Sequence, residues 1–159
     1  MIAVSDSKNE SKLYGYCIMN KLNSTLEEYL QVIEQIDKLD VFDIGIQLIK
    51  AIEILHETGH CHNDLKLENL MLMDSKGDED SNNVVLIDYG YASRFADKQG
   101  KHIKKHDVDS FRGNLLFASV DQLSFHSCSR KSDLISIVYF ILYMLNDLAM
   151  PLQEEATKL

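Results

Sequence analysis

Tryptophan is missing, proline occurs once, at Pro151, and glycine only seven times in 159 residues. That scarcity leaves no proline- or glycine-rich linker and no low-complexity tract. Cysteine is also rare: Cys17, Cys61 and Cys128 are odd in number, far apart and in no C-x-x-C pair. Neither a disulfide framework nor a zinc ribbon follows from such spacing, and a reducing location, cytoplasmic or nuclear, is expected. Basic residues are outnumbered, 16 against 25 acidic, for a net charge of -9. A field of that sign does not gather nucleic acid or anionic lipid, so neither is expected as a partner. The longest apolar run, Leu134 to Leu145, falls short of the roughly 18 residues a membrane span needs, and the N-terminus lacks the basic start and apolar run of a signal peptide. What remains, 45% hydrophobic and 26% charged residues, is the composition of one globular domain with a core.

The chain opens its regular part with KLYGYCIMNKL (12–22), short and rich in Tyr and Ile, which predicts a strand. A link then leads into a helix over about 26–35, with Ser24 and Glu27 at capping-box spacing. DVFDIGIQLIKAIEILHETG carries a helical stripe at Phe42, Ile46, Ile49, Ile52 and Leu55, and Gly59 stands where a left-handed cap would end that helix. LENLMLMD and VVLIDYG read as two short strands joined by the polar turn SKGDEDSNN. Residues 91–112 have no sustained period and predict a long exposed loop. From Asp133 onward the pattern is a helix apolar all round, which water-soluble packing must enclose on every side.

The stretch GHCHNDLKLENLMLMD (59–74) sets the functional question. A metal site could draw on His56, His60, Cys61, His62 and Asp64, but Gly59 ends the helix before His56 and His60 can share a face, and no paired Cys or His elsewhere completes a ligand set. Singly, His60 and Cys61 read as turn and packing residues. The set reads otherwise: His62, Asp64, Lys66 and Asn69 reproduce the H-x-D-x-K-x-x-N spacing of a protein-kinase catalytic loop, and IDYG follows at Asp88, after an intervening hairpin, where the D-F-G element belongs. The chemistry requires this spacing. An Asp accepts the proton of a substrate hydroxyl, a Lys two residues on reaches the transferring phosphate, and an Asn and a second Asp hold magnesium. Hard oxygen donors suit that cation. The catalytic candidates are Asp64 and Lys66, the metal candidates Asn69 and Asp88, and ATP with Mg2+ the expected cofactors. By the kinase analogy His62 braces the loop beneath the Asp88 turn.

FRGNLLFASVDQL (111–123) and SRKSDLISIVYFILYML (129–145) resemble the corresponding segments of the casein kinase 1 family of protein Ser/Thr kinases, and the likeness runs from about Tyr16 to Leu145. The resemblance implies an α+β protein-kinase-like fold: a mainly helical large lobe with short β hairpins. Residues 1–15 would be a remnant of the small lobe, 16–24 its last strand and the hinge, and 25–159 an incomplete large lobe. It implies Met19 as gatekeeper, the backbone of Asn20, Lys21 and Leu22 against adenine, Met71 beneath the adenine ring, and Asp133 as a buried acid holding the catalytic-loop backbone. Without that context Met19 and Met71 would read as core filling. Its partners would be ATP and a protein bearing a Ser or Thr hydroxyl. Three departures stand out. Asn63 replaces the usual Arg, which removes the cation for a phosphorylated activation segment. Leu116 replaces an Arg, against a preference for pre-phosphorylated substrates. Asn114 replaces a Thr and is expected to hydrogen-bond Asp64 or Lys66. No glycine-rich loop, strand Lys or helix Glu precedes Lys12, so a non-catalytic, pseudokinase-like binding module is the alternative, and self-association through uncovered core is expected.

Overall fold

A computed structural model of the chain describes residues 3–9, 12–33, 36–73 and 83–150. It is an α+β arrangement of three separate two-stranded antiparallel ladders and four α-helices among the described residues. β1 (Ala3–Asn9) pairs with β2 (Lys12–Ile18). The predicted strand over 12–22 therefore ends at Ile18, and Met19 to Ser24 run on outside any ladder.

α1 (Leu26–Val32) starts one residue later than the capping signal suggests: Thr25, not Ser24, accepts from Glu28 N, while Glu28 answers onto Thr25 N. The sequence STLEE holds two overlapping boxes, and the frame that buries Leu26 and Leu30 is the one adopted. The helix ends at Val32, and the extended Ile33 stops it short of the predicted end at Gln35; residues 34 and 35 lie outside the described residues.

α2 (Lys38–Glu57) is capped by Asp37, whose carboxylate accepts from Leu39 N at 2.7 Å. Its buried face is Val41, Ile44, Gly45, Leu48 and Ile52. The predicted stripe is thus corrected: Phe42, Ile46 and Ile49 are exposed, and Ile52 alone of that set is fully enclosed. The helix is apolar on two overlapping faces, and only the position of distant elements decides which one is inside.

The turn after α2 follows expectation. Gly59, at φ +80°, takes the left-handed conformation that a Cβ disfavours, and its N–H returns to His56 O at 2.9 Å. β3 (His60–Cys61) then pairs with β6 (Ser93–Arg94), and β4 (Leu70–Met73) with β5 (Asn83–Leu86). The second ladder is the expected hairpin; its turn lies outside the described residues. Segment 91–112 is less free than its composition suggests, because β6 and the buried Phe95 and Ala96 anchor it under Cys61.

α3 (Val120–Leu123) leads to α4 (Arg130–Leu145). One core joins α1, α2, β4, β5 and α4 through Leu26, Leu48, Ile52, Leu70, Leu86, Ile137, Phe140 and Met144. Phe117 stands edge-on to Phe140 and Tyr143 at 5.5 and 5.4 Å between ring centres, the geometry in which ring edges meet ring faces favourably. α4 is not enclosed on every side: Leu134, Val138 and Leu142, four residues apart, form an exposed apolar stripe. Its inner face includes polar Ser132, Asp133 and Ser136, and Asp133 has a specific reason to be there.

Candidate active site

Between β3 and β4 the chain is irregular yet buried: His62, Asn63, Asp64 and Leu65 all lie inside. A buried loop without a ladder must find partners for its backbone groups one by one. Asp133, 1% exposed in the first turn of α4, supplies two of them. Its Oδ2 accepts from His62 N and its Oδ1 from Asn63 N, both at 2.9 Å, while His56 Nε2 lies 2.8 Å from Oδ2. The helix carboxylate thus holds the loop from below.

His62 braces it from the side. Its Nε2 lies 3.2 Å from Ile87 O, which can only accept, so the ring carries its proton there and leaves Nδ1 to accept from Asp64 N at 3.3 Å. Burial pushes the imidazole pKa down, which favours this neutral form.

Asp64 faces Asn69 and Lys66. Asn69 Nδ2 donates to Asp64 Oδ2 at 3.0 Å and to Asp64 O at 2.9 Å, and Lys66 Nζ stands 3.6 Å from the same Oδ2. With its nitrogen committed to Asp64, the Asn69 amide has Oδ1 left as a hard donor. Ile87 N bonds Asn69 O at 2.9 Å, which sets Asp88 beside it. Asp88 takes φ +60°, and its Oδ1 accepts from Gly90 N at 3.0 Å, leaving Oδ2. One amide oxygen and one carboxylate oxygen on adjoining loops fit a magnesium ion that keeps several waters. Asn63 (φ +70°) and Asp88 are both left-handed non-glycine residues, a strained conformation that tends to collect at functional sites.

The residues expected around adenine come from the segment after β2 and from β4. Met19, Asn20 and Lys21 are exposed, Leu22 half-buried, and Met71 half-buried on β4. Asn23 N bonds Leu72 O at 3.2 Å and Leu72 N bonds Ser24 O at 2.9 Å, so the end of this extended segment is stitched to the strand that carries Met71.

One expectation is revised. Asn114 does not reach Asp64 or Lys66; its Oδ1 accepts from Leu116 N at 2.7 Å and Phe117 N at 3.3 Å. Among the described residues, the five side chains weighed for a metal site do not come together as one set. His60 turns to Thr58 and Arg94. His56, Cys61 and Asp133 do come within 4.8 Å of one another, but Asp133 is already occupied by hydrogen bonds and burial pushes the Cys61 thiol pKa far up.

Sequence reasoning missed Gln122. It is buried, and its Nε2 donates to Asn63 O at 2.9 Å and to Arg112 O at 3.3 Å, tying the activation segment to the catalytic loop. The visible signal was S-x-x-Q at Ser119, the capping box in which Gln122 also takes part. Asp121 adds two ion pairs, to Lys105 at 2.7 Å and Lys131 at 2.6 Å, and these lysines hold its carboxyl down at about 2. Gly113 lets the two segments meet: at φ +109°, a Cβ there would lie 2.1 Å from Asn63 O. Gly113→Ala is expected to displace the segment and destabilise the fold by about 2 kcal/mol or more. Urea denaturation checks this, and a change within about 0.5 kcal/mol, the scatter of neutral surface substitutions, would contradict it.

A family model described as the protein kinase domain matches residues 2–158. The B1 kinase of vaccinia virus strain Ankara is 29% identical over 129 residues, 79% of this chain and 41% of the viral protein. A probable serine/threonine-protein kinase of Dictyostelium discoideum is 28% identical over 133 residues, 81% of this chain and 26% of that protein. A casein kinase 1-like protein of Oryza sativa subsp. japonica is 35% identical over 104 residues, 64% of this chain and 15% of that one. The chain thus spans less than half the length of these relatives. Matched over nearly its whole length and carrying the loop residues in order, the chain belongs to the protein kinase domain family.

Proposed function

We propose that this chain carries the catalytic core of a casein kinase 1-like protein serine/threonine kinase, working in the cytoplasm or nucleus on a protein hydroxyl. The observation that supports it most is the joined arrangement of Asp64, Asn69 and the Asp88 turn. In this reading Mg-ATP, when bound, supplies the γ-phosphoryl group and the cation that neutralises developing charge. The chain's own groups do the rest. Asp64 orients the Ser or Thr hydroxyl and takes its proton on the carboxylate, Lys66 reaches toward the phosphate, and Asn69 and Asp88 hold the cation through oxygen. Met19 to Leu22 and Met71 bind adenine. The casein kinase 1-like assignment is supported by the 35% identity to the rice protein. The test is transfer of labelled phosphate from ATP to serine and threonine peptides, with and without magnesium. Magnesium-dependent serine phosphorylation is expected, and labelling confined to tyrosine would overturn the assignment.

The same reading includes self-association. Phe42, Ile46 and Ile49 on α2 and Leu134, Val138 and Leu142 on α4 are exposed, and Ile49 and Leu134 line one groove between the helices. Contiguous apolar surface of that kind favours a partner over water. Light scattering across a concentration series is expected to show a mass above the monomer that Ile46→Lys with Val138→Lys returns to the monomer. A wild-type monomer at every concentration would contradict it.

A further inference from the structure

A cavity of about 330 Å³ opens on the activation-segment side of the catalytic loop, lined by Asn63, Asp107, Asp109, Phe111, Gln122 and His126 among others. Its volume is at the low end for ligand pockets, which run from about 300 Å³, and suits one long side chain. Asn63, 6% exposed, is one wall. Its amide orientation is fixed, because Nδ2 donates to Tyr91 O at 2.7 Å and Ser93 Oγ at 2.9 Å. That leaves Oδ1, an acceptor, buried with no partner among the described residues. A second orphan lies on the same lining. His126 Nε2 stands 3.5 Å from Asp107 Oδ1, which favours the proton on Nε2, and its Nδ1 is buried without a partner.

Two unmatched acceptors call for a ligand that donates, since a buried acceptor without a donor is costly. The charges nearby point the same way: Asp107 and Asp109 against Arg112 leave the lining net negative. The side chains that only donate and carry positive charge are arginine and lysine. We infer that this cavity is a subsite for an arginine or lysine of the protein substrate. The inference rests on the kinase reading, since Asn63 adjoins Asp64 and a side chain seated here belongs to a protein presenting its hydroxyl to that carboxylate.

The test uses the whole chain and a serine peptide in which one position at a time, within three residues of the serine, is arginine, citrulline or norleucine. Binding is read by fluorescence anisotropy without nucleotide. One arginine position is expected to tighten binding about tenfold over norleucine, with citrulline between, as a charge-assisted hydrogen bond allows. Asp107→Asn, at a side chain in open solvent, and His126→Phe are each expected to reduce that preference below about threefold. A flat scan, which a merely water-filled cavity would give, overturns the subsite, as does full preference retained in both variants. Magnesium-dependent ATP binding on the same sample separates the two readings. ATP binding with a flat scan overturns the subsite alone, and an arginine preference without ATP binding overturns the kinase reading.

Discussion

Asp64→Asn is expected to cut phosphoryl transfer by about 10²–10⁴-fold while ATP still binds, the range for losing a positioned general base. The substitution keeps the shape of the side chain and removes its ability to take a proton. It also unsettles the neighbours: Asp64 Oδ2 accepts from Asn69 Nδ2 and faces the Lys66 ammonium, and an amide can meet both only with its oxygen. Nucleotide affinity is spared because the groups assigned to the cation and adenine lie elsewhere. The measurement is turnover and ATP binding, wild type against variant. A loss in turnover with little change in KM for ATP marks an interaction made only in the transition state. Unchanged turnover would remove Asp64 from the mechanism.

Asp133→Ala is expected to destabilise the fold by about 3–5 kcal/mol, the cost of breaking a buried charged contact from one side. Removal of the carboxylate leaves His62 N and Asn63 N buried without an acceptor and strips His56 of its partner. Asp133→Asn keeps one acceptor oxygen and is expected to fall between. Since the two N–H groups belong to the residues just before Asp64, nucleotide-dependent protection of the loop from hydrogen exchange should weaken in step. Urea denaturation reads the stability; a loss under about 1 kcal/mol, the scale of one ordinary hydrogen bond, would mean that Asp133 does not carry the loop.

The grouping of Asp64, Lys66, Asn69 and Asp88 was legible because it depends on short spacings, 62 to 69 and then Asp88, that survive without knowledge of the fold. Gly59 and the β4–β5 hairpin were legible for the same reason: turn signals are local. The inward face of α2 was not. Phe42, Ile46 and Ile49 read as a helical stripe as well as Val41, Ile44 and Leu48 do, and what chose between them was contact with β4, β5 and α4. Ser24 and Thr25 offered equal caps until Leu26 needed burial. The hydrogen bond from Gln122 to Asn63 O spans 59 positions, beyond the reach of any periodicity. Asn114 shows the opposite case, a residue given a distant partner that satisfies its own turn first.

The central claim, that Asn69 and Asp88 hold the magnesium of a bound nucleotide beside the catalytic Asp64, is tested most directly by titrating the purified chain with ATP in the presence and absence of Mg2+, by calorimetry, in wild type, Asp88→Ala and His60→Ala. The account predicts ATP binding that requires the metal, is abolished by Asp88→Ala, and is unchanged by His60→Ala, because His60 is turned toward Thr58 and Arg94. Metal-dependent binding that survives Asp88→Ala, or that is lost with His60 instead, would contradict it.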